Sequence, residues 1–476
     1  MKQFILALIS CFSTFVVAAD AELPKMGSSS SRVLSELQEQ IVGDEYMRQI
    51  RRYLPLVQDP LVIDYIKHLG FKLVENNPDA HDRQFYFFVV QNDTLNAFAM
   101  PGGYIGTHTG LITEADTESE LAAVLGHEIA HVTQRHLARR LEKAQQLSLP
   151  ALAATLGSII VATQNARAGI GLMATTQAGV QQAIINHTRS NEKEADRIGI
   201  QTLSAAGFDT AAMAGFFEKM QLNTRYLRKP PEYLMTHPVN QTRISDARAR
   251  ARALPNGKLS STLAFELIKA RLRLSEDEKN SELYRKNTKR YQEKSFTKEE
   301  QLYFFGLQAQ LNSDHTTAIK VLKQLHDSSP RNLIYLVSLA ESYIAAQQPT
   351  KAIPMLEAEL KNTPSSYPLI ITYSKALNLN NQPIAARSLL LEHAYSNNAE
   401  PSMLNLLART QEMAGFTDEV HESRGQYLYL TGDLKGALAQ FEIALNRYSD
   451  DPYASQRIEA RISKIEKTLK EQNKKK

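Results

Sequence analysis

The chain has 476 residues, of which 43% are apolar, and a formal net charge of +4 at pH 7. This length and composition fit two or three globular domains with packed cores, and so small a charge on so long a chain implies no nucleic-acid partner. The single cysteine, Cys11, lies in an apolar N-terminal stretch, so a mature chain lacking that stretch has no disulfide, thiolate nucleophile or cysteine-bound zinc.

Residues 1–21 are predicted to be a signal peptide. Lys2 precedes the apolar run Phe4–Val17, and small residues suited to signal-peptidase cleavage follow it. The run is too short for a membrane-spanning helix. Lipidation at Cys11 is the less favoured alternative, because further apolar residues follow that cysteine.

Two amphipathic helices are predicted after a leader rich in glycine and serine. Leu34–Leu54 has helical spacing, and a second helix begins at Asp59-Pro60. Its apolar positions recur at steps of four residues: Leu61, Tyr65, Leu69 and Leu73. These helices supply packing surface and carry no visible chemistry.

Residues 85–112 change to the pattern of strands. Phe85–Gln91 predicts a strand, and Leu95–Met100 and Tyr104–Thr107 predict two more around a turn at Pro101–Gly103. Such a sheet beside a metal-binding helix can hold an extended peptide by strand addition, and a purely structural hairpin is the alternative. His108 is predicted to be a loop histidine rather than a metal ligand.

The stretch His127-Glu128-Ile129-Ala130-His131 predicts a zinc-binding catalytic helix. Residues four apart lie on one face of an α-helix, so His127 and His131 can bind one ion. Glu128 can then take a proton from a metal-bound water, as in other H-E-x-x-H motifs. A helix with surface histidines is the alternative.

The residues around this motif support a helix. Asp116 and Thr117 can cap it, and Glu120 is placed for a capping box. The apolar residues that follow define one face of the helix: Leu121, Val124, Leu125, Ile129 and Val132.

A catalytic zinc usually has three protein ligands, so the two histidines leave one to be found. Ser190 or Asn191 is predicted to cap a second helix, on which Glu192 and Asp196 lie four apart on one face. We predict that Glu192 is the third ligand. Asp196 would orient a ligating histidine or help to protonate the leaving amine. The alternative is a solvated acidic helix start.

Residues 144–188, between the two ligand helices, contain a single charge, Arg167. Polar residues and a proline interrupt the apolar runs, so no stretch of about 20 apolar residues is present. We predict a mobile, partly apolar flap. A buried helical pair is the alternative.

The C-terminal half is predicted to be an all-α solenoid of tetratricopeptide repeats over residues 299–466. Ala318, Ala352 and Ala386 follow one another at 34-residue intervals, which is typical of this helix–turn–helix repeat. Ala437 lies in a further unit, and the register is predicted to slip between Ala386 and Ala437. Such an array offers a curved surface for a partner, or packs against the preceding domain.

Two charged segments flank the repeats. Residues 256–298 are predicted to form a charged helical connector. Residues 467–476 are predicted to form a solvated basic tail, for which a weak peripheral contact with an anionic membrane is the less favoured option.

Three motifs resemble those of the HtpX and CAAX-prenyl-protease gluzincins. They are His-Glu-Ile-Ala-His at 127–131, Asn-Glu-x-Glu-Ala-Asp at 191–196 and Asn-Ala-Phe-Ala-x-Pro-Gly-Gly at 96–103. The resemblance implies an α+β, mainly helical zincin metallopeptidase domain with a small β-sheet, placed at residues 22–255.

The same resemblance implies the roles of the site residues. One zinc ion per subunit would be bound by His127, His131 and Glu192, with Glu128 as the base. Asp196 would have an acid or supporting role.

The segment Met235–Arg243 resembles the Thr-His-Pro…Arg element of that family. A histidine near the metal, here His237, would stabilise the oxyanion, or occupy the open metal position and hold the enzyme inactive. Arg243 would position a carbonyl or brace the loop. A packing or capping role for His237 is a further alternative.

With its leader and repeats, the whole chain resembles periplasmic proteases of Gram-negative bacteria that act in outer-membrane β-barrel assembly. The resemblance implies a zinc metalloendopeptidase that assists this assembly, degrades stalled β-barrel proteins and contacts the assembly machinery through its repeats. The alternative is a non-catalytic chaperone or adaptor with a structural zinc. An intact Glu128 favours the peptidase, because a structural zinc needs ligands and no base.

Overall fold

The computed structural model describes residues 34–143, 178–226, 231–255, 257, 259–277, 281–293, 295–395 and 400–474. The predicted signal peptide, most of the predicted flap and the last two residues of the predicted basic tail lie outside the described residues.

A three-stranded sheet lies beside two N-terminal helices. The helices are α1 (Glu36–Tyr53) and α2 (Pro60–Glu75), and the strands are β1 (Tyr86–Val90), β2 (Ala97–Ala99) and β3 (Tyr104–His108). β3 is the central strand, parallel to β1 and antiparallel to β2. β2 therefore forms one edge of this sheet.

The starts of both helices follow from capping residues. Ser35 and Gln38 form a capping box at α1, and the Asp59 carboxylate accepts a hydrogen bond from the Leu61 N–H at the start of α2. His108 differs from its prediction as a loop residue. It is the last residue of β3, because its pairing with Val90 extends the strand by one residue. Its side chain is fully buried.

Helix α4 is the centre of the peptidase half. It is buried along almost its whole length and packs against the sheet, α2 and three helices that follow it in the chain. The helices of this region are α3 (Thr109–Glu114), α4 (Glu118–Thr133), α5 (His136–Lys143), α6 (Ala178–Ala205), α7 (Ala212–Tyr226), α8 (Glu232–Thr236) and α9 (Gln241–Ala253).

The segment predicted as a connector contains α10 (Leu263–Asp277) and α11 (Ser281–Arg290). The apolar face of α10 is buried and includes Phe265, Leu267 and Ile268. α10 packs against α2 on one side and the first repeat helix on the other, so it joins the two halves through a shared core.

The C-terminal half is a helical repeat in which each helix packs against the next one along the chain. Its helices are α12 (Lys298–Leu311), α13 (His315–Ser328), α14 (Leu333–Ala345), α15 (Pro349–Asn362), α16 (Tyr367–Leu379), α17 (Pro383–Ala394), α18 (Pro401–Met413), α19 (Thr417–Leu430), α20 (Leu434–Arg447) and α21 (Pro452–Lys474).

The repeat period is visible in both packing and backbone. Ala318, Ala352 and Ala386 are fully buried on α13, α15 and α17, and Val420, the next position in the period, is buried on α19. Ala437 lies on α20, half a period later. The register therefore shifts by half a period after Val420, within the predicted interval between Ala386 and Ala437, and Gly432 before α20 has a positive φ of 80°.

The turn inside each helix pair repeats at the same interval. Ser313, Gln347, Asn381 and Gly415 lie 34 residues apart and have positive φ angles of 60°, 58°, 56° and 82°. One left-handed residue per turn reverses the chain direction between the paired helices.

The later repeats also contact the peptidase half. The ammonium of Lys67 on α2 lies 2.5 Å from the Glu400 carboxylate before α18. Arg48 on α1 donates to the Tyr429 hydroxyl at 3.1 Å, and Arg52 donates to the Gly432 carbonyl at 2.7 Å. No helix within the described ranges is long and apolar enough to cross a membrane.

Candidate metal centre

Helix α4 presents the H-E-x-x-H motif at the middle of the fold. The Thr117 hydroxyl caps the helix by accepting from the Glu120 N–H at 3.2 Å, as predicted. The Glu120 carboxylate accepts from the Asp116 N–H at 2.9 Å, so the reciprocal bond forms one residue earlier than in a standard capping box. His127 and Glu128 are fully buried one and a half turns from the helix end.

Small residues let α6 cross α4 closely. Ala130 and Ala195 are fully buried against each other, as expected from the size of Ala195. A Cβ atom on Gly199 would lie 3.1 Å from the His127 backbone nitrogen. The two helix backbones therefore nearly touch at the metal-binding turn.

The predicted start of α6 is wrong. The helix begins at Ala178, so Ser190 and Asn191 lie inside it rather than at its N-cap. These polar residues match a capping signal, but the helix continues through them. Glu192 and Asp196 still lie four apart, and both are buried against α4.

Four predicted residues converge at one point. His127, His131, Glu192 and His237 each offer one ligand atom, and these atoms lie within 4.8 Å of one another. The Nε2 atom of His127 lies 3.0 Å from Nε2 of His131 and 3.4 Å from Oε2 of Glu192. The Nδ1 atom of His237 lies 3.2 Å from Nε2 of His127 and 3.1 Å from Oε2 of Glu192.

These separations fit a zinc ion. Ligand atoms about 2.0–2.1 Å from a tetrahedral ion are about 3.3 Å apart, and the closest ligand atoms in this group are 3.0–3.4 Å apart. Imidazole nitrogens and a carboxylate oxygen are the donors that zinc takes in catalytic sites. The donor set and its spacing therefore match zinc.

Asp196 supports His127 from the outside of this group. Its Oδ1 atom lies 3.0 Å from Nδ1 of His127. The Arg243 guanidinium donates to both carboxylate oxygens of Asp196 at 2.7 Å, and to the Pro238 carbonyl at 2.8 Å. Arg243 thus braces the loop that follows His237.

Charges in the site are set by burial and by close partners. Burial favours a higher pKa for Glu192, but His237, His127 and His131 outweigh it and hold this pKa well below its usual value. Burial is likewise outweighed at Asp196, whose pKa is lowered by His127 and Arg243. For Glu128, burial dominates and raises the pKa. A raised pKa makes a carboxylate a better proton acceptor.

His237 lies between the other ligand atoms and Glu128. Its Nε2 atom is 3.4 Å from Oε1 of Glu128, and its ring stacks on the buried Tyr233 ring at 4.8 Å. Helix α8, which it follows, is tied to the segment before β2, since the Tyr233 N–H donates to the Leu95 carbonyl at 3.2 Å. Tyr233 was not found from the sequence, because a lone tyrosine carries no metal-site signal.

His136 is a second residue of the site that was not predicted from the sequence. Its Nδ1 atom lies 2.8 Å from Nδ1 of His131, and its Nε2 atom lies 3.1 Å from Oε2 of Glu194. Burial is the main influence that lowers the pKa of His136 to about 3, so the ring is neutral. A histidine five residues after a ligand would lie on a different face of a continuous helix, so the motif spacing could not reveal it.

Comparison with known proteins places these residues in a family context. Residues 63–251 match the model of "Peptidase family M48". The chain is 36% identical to the "Beta-barrel assembly-enhancing protease" of Yersinia pestis, over 93% of this chain and 91% of that protein. It is 34% identical to the protein of the same name in Escherichia coli, over 95% and 92%. It is 30% identical to bovine "Metalloendopeptidase OMA1, mitochondrial", over 48% and 43%.

Proposed function

The chain belongs to peptidase family M48, among the beta-barrel assembly-enhancing proteases, and on that premise we propose that it cleaves unfolded or stalled outer-membrane β-barrel proteins in the periplasm. It is a zinc metalloendopeptidase. The observation that carries the proposal is the convergence of His127, His131 and Glu192 at zinc-ligand spacing, with Glu128 buried beside them.

The ligand set comes from two crossing helices. His127 and His131 of α4 and Glu192 of α6 would hold one zinc ion per subunit. Bound there, zinc supplies the Lewis acid that activates a water molecule and polarises a peptide carbonyl. Glu128 is the general base: it takes the proton of the attacking water and passes it to the leaving amine.

Asp196 has an orienting role in this proposal. It faces Nδ1 of His127, and a carboxylate at the second nitrogen fixes the ring and strengthens the other nitrogen as a ligand. Its low pKa and its two hydrogen bonds from Arg243 leave it no proton to give to a leaving amine. Proton return is therefore assigned to Glu128.

His237 is proposed to hold the site closed. Its Nδ1 atom lies among the zinc-ligand atoms, and its Nε2 atom faces Glu128, so it blocks both the fourth metal position and the base. The Thr94 hydroxyl donates to the Glu232 carboxylate at 3.1 Å, which further fastens α8 beside β2. A substrate strand adding to the β2 edge would displace α8 and His237 together.

The partners follow from the same premise. An extended, unfolded polypeptide supplies the backbone hydrogen bonds that a strand edge needs, without a fixed sequence. The helical repeats would contact the β-barrel assembly machinery through their curved surface. A weak contact of the basic C-terminal residues with the membrane is a minor addition.

The experiment compares cleavage of an unfolded outer-membrane β-barrel protein by wild type, Glu128→Gln and His237→Ala, with zinc content measured in each. Removal of a general base is expected to slow cleavage by about 100- to 10,000-fold. Glu128→Gln should retain zinc, because glutamine replaces no ligand. His237→Ala should retain zinc and cut faster than wild type.

Two results would contradict these assignments. Equal cleavage by wild type and Glu128→Gln would remove Glu128 as the base. Zinc in all three proteins with no cleavage by His237→Ala would favour the non-catalytic adaptor, in which the ion is a structural support.

A further inference from the structure

We propose that His136, held in turn by Glu194, is a positioning residue for the metal ligand His131. This inference rests on the zinc site proposed above and adds to it a second, separate outer support. The contacts that carry it are the 2.8 Å separation between the two Nδ1 atoms and the 3.1 Å separation between Nε2 of His136 and Oε2 of Glu194.

A break between two helices brings His136 to His131. In a continuous helix, residues five apart are rotated by about 140° about the axis and do not face each other. Here Arg135 adopts a left-handed conformation with φ of 51°, α4 ends, and α5 starts at His136. The Arg135 guanidinium lies 2.8 Å from the Glu39 carboxylate, which anchors this turn on α1.

The hydrogen positions in this chain of contacts have one consistent assignment. Nε2 of His131 faces the other ligand atoms, so it carries no hydrogen when it binds a metal and the ring's hydrogen is on Nδ1. That N–H donates to Nδ1 of His136, whose own hydrogen is then on Nε2. The second N–H donates to the Glu194 carboxylate.

Glu194 is itself fixed, because Arg139 donates to the same Oε2 atom at 2.7 Å. His131 therefore donates to His136, His136 donates to Glu194, and Glu194 accepts from both His136 and Arg139. The arrangement holds the His131 ring in its ligating orientation and strengthens Nε2 as an electron donor. His127 obtains the same support directly from Asp196, whereas His131 obtains it through a neutral imidazole.

The test measures the affinity of the full chain for Zn²⁺ by competition with a chelator, and the visible absorption of the Co²⁺-substituted chain. His136→Leu removes both hydrogen bonds at similar volume. His136→Asn keeps an oxygen at the position of Nδ1, which can accept from His131. We expect the Zn²⁺ affinity to fall about 10- to 100-fold in His136→Leu, and to recover most of that loss in His136→Asn.

Glu194→Gln should weaken Zn²⁺ binding less than His136→Leu does, because it keeps the acceptor and removes only the charge. Leu141→Ala is the matched control, since Leu141 is buried on the same helix and takes no part in the chain of contacts. It should leave the Zn²⁺ affinity and the Co²⁺ spectrum unchanged.

Three outcomes would overturn the inference: His136→Leu binding Zn²⁺ within twofold of wild type, His136→Asn as weak as His136→Leu, or Leu141→Ala as weak as His136→Leu. A wild-type chain that binds no Zn²⁺ would instead overturn the metal site itself. Circular dichroism of each variant establishes that it is folded before affinity is compared.

Discussion

At the scale of single residues, Arg243 places a buried positive charge between two carboxylates of the metal centre. Its side chain is 2% exposed, and it lies 3.0 Å from Glu192 as well as 2.7 Å from Asp196. These contacts, together with its stacking on the Phe217 ring at 4.7 Å, fix its position. The Arg243 guanidinium therefore offsets the negative charge of the two buried carboxylates that it contacts.

We expect Arg243→Met to destabilise the chain by about 3–5 kcal/mol, because it leaves the buried Asp196 carboxylate without its charge partner. Arg243→Lys should recover little, since an ammonium cannot make the paired hydrogen bonds of a guanidinium. The measurement is urea-induced unfolding of the full chain, followed by tyrosine fluorescence.

Asp196→Asn combined with Arg243→Met provides the control for that prediction. Asp196→Asn removes the negative charge that Arg243→Met would leave buried without a partner. The double variant should therefore lose less stability than the sum of the losses of the two single variants. A strictly additive loss would mean that Arg243 stabilises the fold by packing rather than by charge.

At the scale of helices and strands, sequence patterns predict the features that depend on residues close together in the chain. The spacing of His127 and His131 and the cap at Thr117 are properties of a single helix, and the structure has both. The 34-residue repeat is equally local, because four successive turns between paired helices each have their own left-handed residue.

Features that depend on packing between residues far apart in the chain could not be predicted from the sequence. Ser190 and Asn191 match a helix start, yet α6 passes through them. Arg135 is an unusual residue for a left-handed turn, so nothing in the local sequence indicates that His136 swings toward His131. The approach of Arg271 to both halves of the chain joins segments separated by hundreds of residues, which no periodicity records.

The crossing of α4 and α6 sets the distance between the metal ligands they carry. Gly199 lies seven residues after Glu192, on the same side of α6, and a Cβ atom there would be 3.0 Å from the Met213 methyl group and 3.1 Å from the His127 nitrogen. A larger side chain at this point must push the helices apart, and Glu192 away from His127.

We therefore expect Gly199→Val to destabilise the chain by about 1–3 kcal/mol through overpacking, and to weaken Zn²⁺ binding at least tenfold in chelator competition. Gly215→Val is the control: Gly215 lies on α7 with open space around it, and valine is no worse than glycine inside a helix. Equal Zn²⁺ affinity in the two variants would show that the distance between α4 and α6 at their crossing does not determine Zn²⁺ binding.

At the scale of the whole molecule, Arg271 of α10 joins the peptidase half to the repeats. Its guanidinium donates to Asp59, the cap of α2, at 2.7 Å, and to Glu341 and Ser338 of α14, each at 3.0 Å. The side chain is 10% exposed, so these charges interact with little screening by water. One continuous hydrophobic core surrounds the contact and extends from α2 to α16.

We expect Arg271→Met to lower the free energy of unfolding by about 3–5 kcal/mol, because it leaves Asp59 and Glu341 without their shared partner. The loss falls on the contact between the two halves. Calorimetry is therefore expected to show two separate unfolding transitions, one for the repeats and one for the peptidase half, where we expect a single transition for the wild type. Lys361→Ala is the control: it removes an exposed pair with Glu357, 73% and 51% exposed, and such pairs contribute little. If Arg271→Met lowered the stability of both halves equally without separating them, the shared hydrophobic core rather than the guanidinium would be what couples peptidase and repeats.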